Sequence, residues 1–143
     1  MSIHSARNLT AAIISALESA GLSVGDATKP AGAGWQGAPG SGNFNPYTVV
    51  YPTPGGYYDG TISEPYADAR VDHTISSFGS SREQAQWGAD KVFATLIVPT
   101  NVTVSGRTVQ LISPDVDGGV IRDDDVQPPI FYTPTRWRVM TSG

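Results

Sequence analysis

The stretch from Thr28 to Pro46 constrains this chain more than any other. It holds Gly32, Gly34, Gly37, Gly40 and Gly42 together with Pro30, Pro39 and Pro46. Its only charge is Lys29, and its only large side chains are Trp35 and Phe44. The composition reads as a loop, and a structureless loop of that length is uncommon inside a compact domain. Two readings follow: a flexible insertion, or a segment lying ordered against a partner. Trp35 and Phe44 favour the second, because a pure linker rarely needs large apolar groups. The same punctuation runs through the whole chain. With 16 glycines and 11 prolines, well above average usage, the fold is expected to be rich in turns.

A chain of 143 residues is long enough for one core and too short for two. We therefore expect a single domain over 1–143, with the 28–46 loop inside it. Hydrophobic residues at 39% and charged residues at 15% argue against a disordered chain. No apolar run approaches the ~18–20 residues that span a bilayer, so no membrane partner is expected. The absence of cysteine excludes disulfides, thiol nucleophiles and Cys-ligated zinc. A net charge of −4 with no basic cluster argues against a domain that grips nucleic acid. The first 22 residues lack a cationic start and a continuous apolar run, so they do not read as a signal peptide.

Leu9, Ala12, Ile13, Ala16, Leu17 and Ala20 recur at helical spacing and predict an amphipathic helix. Gly21 should close it as the C′ residue, with Leu22 packing back in a Schellman end. Strands are expected at Tyr47–Tyr51 and Val71–Gly79, the latter with Val71, His73 and Ile75 on one face. Ser80-Ser81-Arg82-Glu83 reads as a capping box with Ser80 as N-cap. In the helix that follows, Ala85, Ala89, Val92, Phe93 and Leu96 form the core stripe. Trp87 falls almost opposite, with Lys91 as its i+4 neighbour, so it is covered either by a loop or by another chain. A hairpin should turn at Ser105-Gly106, pairing Val104 with Arg107 and Val102 with Val109. That register puts Val102, Val104, Val109 and Leu111 on one face. Asp115 to Gly119 reads as a turn. Ile130–Met140 reads as a final strand with Trp137 and Val139 inward, and Pro134 argues for an edge strand or a bulge. Helices separated by runs of strands imply an α+β fold: a mainly antiparallel sheet with two helices packed on one face, plus the long Gly-rich loop.

Catalytic motifs are missing from the sequence. There is no phosphate-binding loop, nucleophile elbow or H-E-x-x-H helix. His4 sits near a terminus, and His73 reads as a structural, hydrogen-bonded histidine. Asp115 and Asp117 begin like a calcium loop whose later ligands are absent. Asp123, Asp124 and Asp125 form a run that fits a metal site less well than a solvated face beside Arg122. Arg136 and Arg138 alternate on the last strand around Trp137. No enzyme, metal or cofactor is expected.

Several segments resemble one family: Gly34-Trp35-Gln36-Gly37, Tyr51 to Gly56, Asp59-Gly60, Ser81 to Trp87 with Ala89-Asp90-Lys91, Val104 to Arg107, and Arg122 to Tyr132. In order and spacing they are similar to the tail terminator proteins of long-tailed phages (siphoviruses) that infect actinobacteria. The resemblance implies structural work: a homohexameric ring at the head-proximal end of the tail tube, which stops tube polymerisation and meets the head-side connector. Its implied partners are further copies of itself, the major tail tube protein and the connector or stopper protein. DNA would pass through the channel without specific binding, and assembly would occur in the host cytoplasm. Six copies at −4 each would make an acidic ring along which DNA slides rather than sticks.

On this reading Trp35, Phe44, Trp87 and Asp123 to Asp125 are candidate contacts to neighbouring subunits or rings. Arg136 and Arg138 are candidate partners of that acidic run across a subunit boundary. Two alternatives remain. One is a tail completion or head–tail joining protein. The other is a small metal-dependent hydrolase built on Asp115, Asp117 and Asp123 to Asp125.

Overall fold

Helix α1 spans Ala6–Ser19. It begins where the Ser5 hydroxyl accepts the Asn8 amide, satisfying one of the donors a helix start leaves open. It ends as the sequence requires. Gly21 takes φ +93°, its N–H bonds to Glu18, and the Leu22 N–H reaches the Leu17 carbonyl, the paired bonds of a Schellman motif. Leu9, Ile13 and Leu17 are fully buried. The computed structural model describes residues 4–53, 56–59, 67–117 and 119–143.

The strands are β1 (Val24–Asp26), β2 (Gly34–Trp35), β3 (Phe44–Asn45), β4 (Tyr47–Pro52), β5 (Gly56–Asp59), β6 (Asp68–Gly79), β7 (Thr108–Asp117), β8 (Ile121–Asp123) and β9 (Ile130–Ser142). The second helix, α2, is Arg82–Leu96. Among the described residues, seven strands form one sheet in the order β1-β4-β6-β9-β7. β5 continues β4 along the same edge of β6, and β8 continues β7 along β9. Among the described strands, only β1 and β4 run parallel to each other. The long antiparallel pair β6–β9 is the spine, in register from Asp68↔Ser142 to Gly79↔Phe131.

Both helices pack on one face of this sheet. Leu9, Ile13 and Leu17 of α1 and Val92 and Leu96 of α2 meet Val50, Val71, Ile75, Ile112, Trp137 and Val139 in one cluster. The expected α+β layering is therefore what the chain adopts. Strand parity explains the core: Val71, His73 and Ile75 alternate inward on β6, opposite Val139, Trp137 and Thr135 of β9. His73 is buried there, with Nε2 2.9 Å from the Thr10 hydroxyl. That hydroxyl donates to the Ala6 carbonyl, so it accepts from the ring, and the histidine is structural as expected.

Helix α2 starts one residue later than the Ser80 box predicts. Ser81 is the N-cap and accepts the Gln84 amide, while the Gln84 side chain reaches back to the Ser80 N–H. Glycine at position 79 permits a close approach between the end of β6 and the first turn of α2. A Cβ on Gly79 would lie 2.5 Å from the Gln84 Cβ and 2.7 Å from the Ala85 nitrogen. Of the predicted stripe, Ala85, Val92 and Leu96 are buried, but Phe93 is largely exposed, its ring lying beside Trp137.

The 28–46 segment is not an unfolded insertion. Its β2–β3 hairpin pairs Trp35 with Phe44 and folds over the other face of the chain's own sheet. Trp35, Phe44, Tyr47, Phe78 and Tyr132 then form a ladder of rings with successive centroids 4.8–6.1 Å apart, within the range of favourable aromatic contact.

Four further expectations are corrected. The Ser105-Gly106 hairpin reduces to a single bridge, Val104↔Arg107, because the chain before it winds into a 3-10 turn at Pro99–Asn101 and β7 pairs with β9 instead. The register of β7 shifts between Val109 and Leu111. That bulge turns Ile112 inward and leaves Leu111 exposed. Asp115 to Asp117 belong to strand β7 rather than a turn. Pro134 lies on a strand paired on both sides, not at an edge. It faces Ser76 on β6, and on the other side it falls between the last β7 partner, Thr135, and the first β8 partner, Tyr132. A residue without an N–H is tolerated where the neighbouring ladder is interrupted.

Candidate assembly surfaces

The sheet face away from the helices is divided across the strands. The hairpin covers the row Tyr47–Phe78–Tyr132 and the neighbouring Val49. Three rows lie beyond it: Tyr51–Thr74–Arg136, Asp72–Arg138–Ser113 and Arg70–Met140–Leu111. Tyr51 and Leu111, at the margins, are 41% and 45% exposed.

Alternation on β6 and β9 brings Arg70, Asp72, Arg136 and Arg138 to this face. Asp72 takes Arg70 at 3.1 Å and Arg136 at 3.0 Å. Its side chain is only 8% exposed, against 37% and 48% for the two arginines. The carboxylate therefore lies beneath and the guanidiniums on top. Hydrogen bonding from Arg70 comes first among the influences that hold the Asp72 carboxyl below the usual carboxylate range. The charge of both arginines adds to it, against the opposing effect of burial. Arg138 pairs with Asp115 at 3.2 Å. So Arg136 and Arg138 have carboxylate partners within the chain, and those partners are not the acidic run.

Asp123 closes β8, and Asp124 and Asp125 form the exposed turn after it. Arg122 pairs with Asp124 at 2.6 Å, and the Asp123 carboxylate accepts the Asp125 amide at 3.1 Å. The turn thus keeps more carboxylates than its single arginine neutralises. Among the described residues, no three His, Asp or Glu side chains converge as a metal site.

Trp87 is 45% exposed on the outer side of α2, so no loop of the described chain encloses it. Lys91 lies 4.9 Å over its ring and also donates to the Ala20 carbonyl at the end of α1. The lysine holds the indole in place by a cation–π contact without covering it. Trp35 and Phe44 are brought together edge to face, 5.2 Å apart, and Phe44 is only 7% exposed. The arginine spacing on β9 signalled a shared face. The partners Asp72 and Asp115 were missed: Asp72 sits on a strand 64 residues away from Arg136, and Asp115 lies within a second register shift, between Pro114 and Val116.

No protein-family model and no curated protein matches the sequence. No helix among the described residues is long and apolar enough to cross a membrane. By structure, the chain is similar to a chain of a solved particle described as the virion of a native gene transfer agent. The match has a TM-score of 0.65 and 16% identity, and it covers 94% of this chain and 95% of the other. The fold described above is thus shared, nearly end to end, with a protein of that virion.

Proposed function

We propose that this chain is a non-enzymatic structural protein of a virion, and within it a tail terminator. Copies of the chain would form a hexameric ring at the head-proximal end of a tail tube. There the ring stops addition of the major tail tube protein and offers its other side to the head connector, while DNA passes through without specific binding. The observation that carries the reading is the near full-length fold likeness to a gene transfer agent virion chain. The sequence resemblance to tail terminators narrows it. An exposed tryptophan on a helix and exposed tyrosine and leucine on an open sheet face suit a protein that buries surface between chains.

A head–tail joining protein would share the same likeness. Deleting the gene in its parent phage and imaging the lysate separates the two. Overlong tails without heads are expected of a lost terminator. Normal-length tails beside full heads would transfer the role to joining, and intact infectious particles would refute both.

A further inference from the structure

The open half of the outer sheet face carries three of the chain's nine basic residues. Its charges are layered. The Asp72 carboxylate is buried beneath Arg70 and Arg136, whose guanidiniums reach solvent. Asp115 is occupied by Arg138, and Asp68 lies at the far end of the face, opposite Ser142. Tyr51 and Leu111 flank the arginines. Arginine with aromatic and aliphatic neighbours is the composition of an interface centre.

The chain also bears the complement to that surface. The Asp123–Asp125 turn is exposed and retains net negative charge beside Arg122. Within one molecule the two cannot meet. Asp123 is in register with Ile130, and Ile130 and Arg136 are about 20 Å apart along β9 at ~3.4 Å per residue. An arginine and an aspartate side chain together do not span that distance.

We propose that the arginine-topped half of the outer sheet face receives the Asp123–Asp125 turn of a second copy of this chain, joining copies head to tail. Two different, complementary patches on one subunit make a heterologous contact, which closes into a ring when the rotation per step allows. Opposite charge fixes the register of such a contact more than it adds raw affinity. The inference deepens the ring reading and rests on it.

The absence of cysteine makes disulfide trapping clean. The double variant Asp125→Cys with Arg136→Cys keeps Arg70 on Asp72. A second pair, Asp125→Cys with Tyr51→Cys, leaves every ion pair of the face intact. Purified full-length protein is oxidised over a concentration series and run on non-reducing gels. We expect a ladder of covalent oligomers from either pair, weakened at high salt, and no ladder from the single-cysteine variants. Bands that stop at a dimer would mean a two-fold contact and overturn the head-to-tail arrangement. No band above the monomer with either folded pair would overturn the contact itself. The ring reading stands or falls separately, on the tail lengths of the gene deletion.

Discussion

His73 offers a test of the core that is independent of any assembly. Its ring lies in the layer between α1 and the sheet, bonded to Thr10, and burial lowers its pKa from 6.5 to about 4. The unfolded chain takes up this proton near pH 6.5, while the folded chain resists until about pH 4. Between those values the unfolded state binds more protons, so stability is complete above the upper limit and falls with pH through the window. At ~1.4 kcal/mol per pH unit, the loss sums to about 3 kcal/mol near pH 4. Asp72, whose pKa lies below the ordinary carboxylate value, adds its own loss only at lower pH. His4, lowered by burial and by Arg107, contributes equally to wild type and variant and cancels in the difference. Urea unfolding followed by tryptophan fluorescence, at intervals from pH 7.5 to 4, reads the slope. His73→Leu keeps the Thr10 bond to Ala6 and should flatten most of it. Equal slopes for the two proteins would refute the assignment of a buried neutral imidazole.

Three further outcomes are expected. Asp72→Asn leaves Arg70 and Arg136 facing each other without their shared carboxylate. It should cost about 1–2 kcal/mol in chemical denaturation, below a fully buried pair because both guanidiniums keep water. Gly79→Ala drives a methyl into the backbone of the first α2 turn and should cost ~1–3 kcal/mol, read as a lower urea midpoint. A neutral result would mean that the helix can shift outward. Trp87→Ala removes an exposed indole and one cation–π contact, so monomer stability should drop by no more than ~1 kcal/mol. Ring yield by native mass spectrometry should fall several-fold, and an unchanged yield would count against an interface role for Trp87.

Local chemistry made much of the fold legible. The spacing of Leu9, Ile13 and Leu17 and the Gly21 stop define α1 without reference to the rest of the chain, because a helix is closed by its own neighbours. The alternation of Val71, His73 and Ile75 likewise set the inner face of β6. The capping box was right in kind and off by one residue, since Ser80 and Ser81 both qualify as N-caps and the local sequence does not choose between them.

Long-range pairing decided what remained. A register shift in β7 is invisible in sequence, yet it put Leu111 on the surface and Ile112 in the core. Pro134 looked like an edge signal because nothing local says that the neighbouring strand is interrupted beside it. The glycine-rich segment carried its own aromatic anchors, but only the sheet shows what they anchor to: Tyr47, Phe78 and Tyr132 converge from three strands. The same holds for the surface. Arg136 and Arg138 announced a charged strand face from their spacing alone. That a buried Asp72 holds the guanidiniums outward, some 20 Å along β9 from the acidic turn, is a consequence of strands meeting in space. Sequence determines the elements, because helix caps and strand alternation are satisfied within a few residues. The tertiary structure determines the surfaces, because a surface is made of residues that the chain itself keeps far apart.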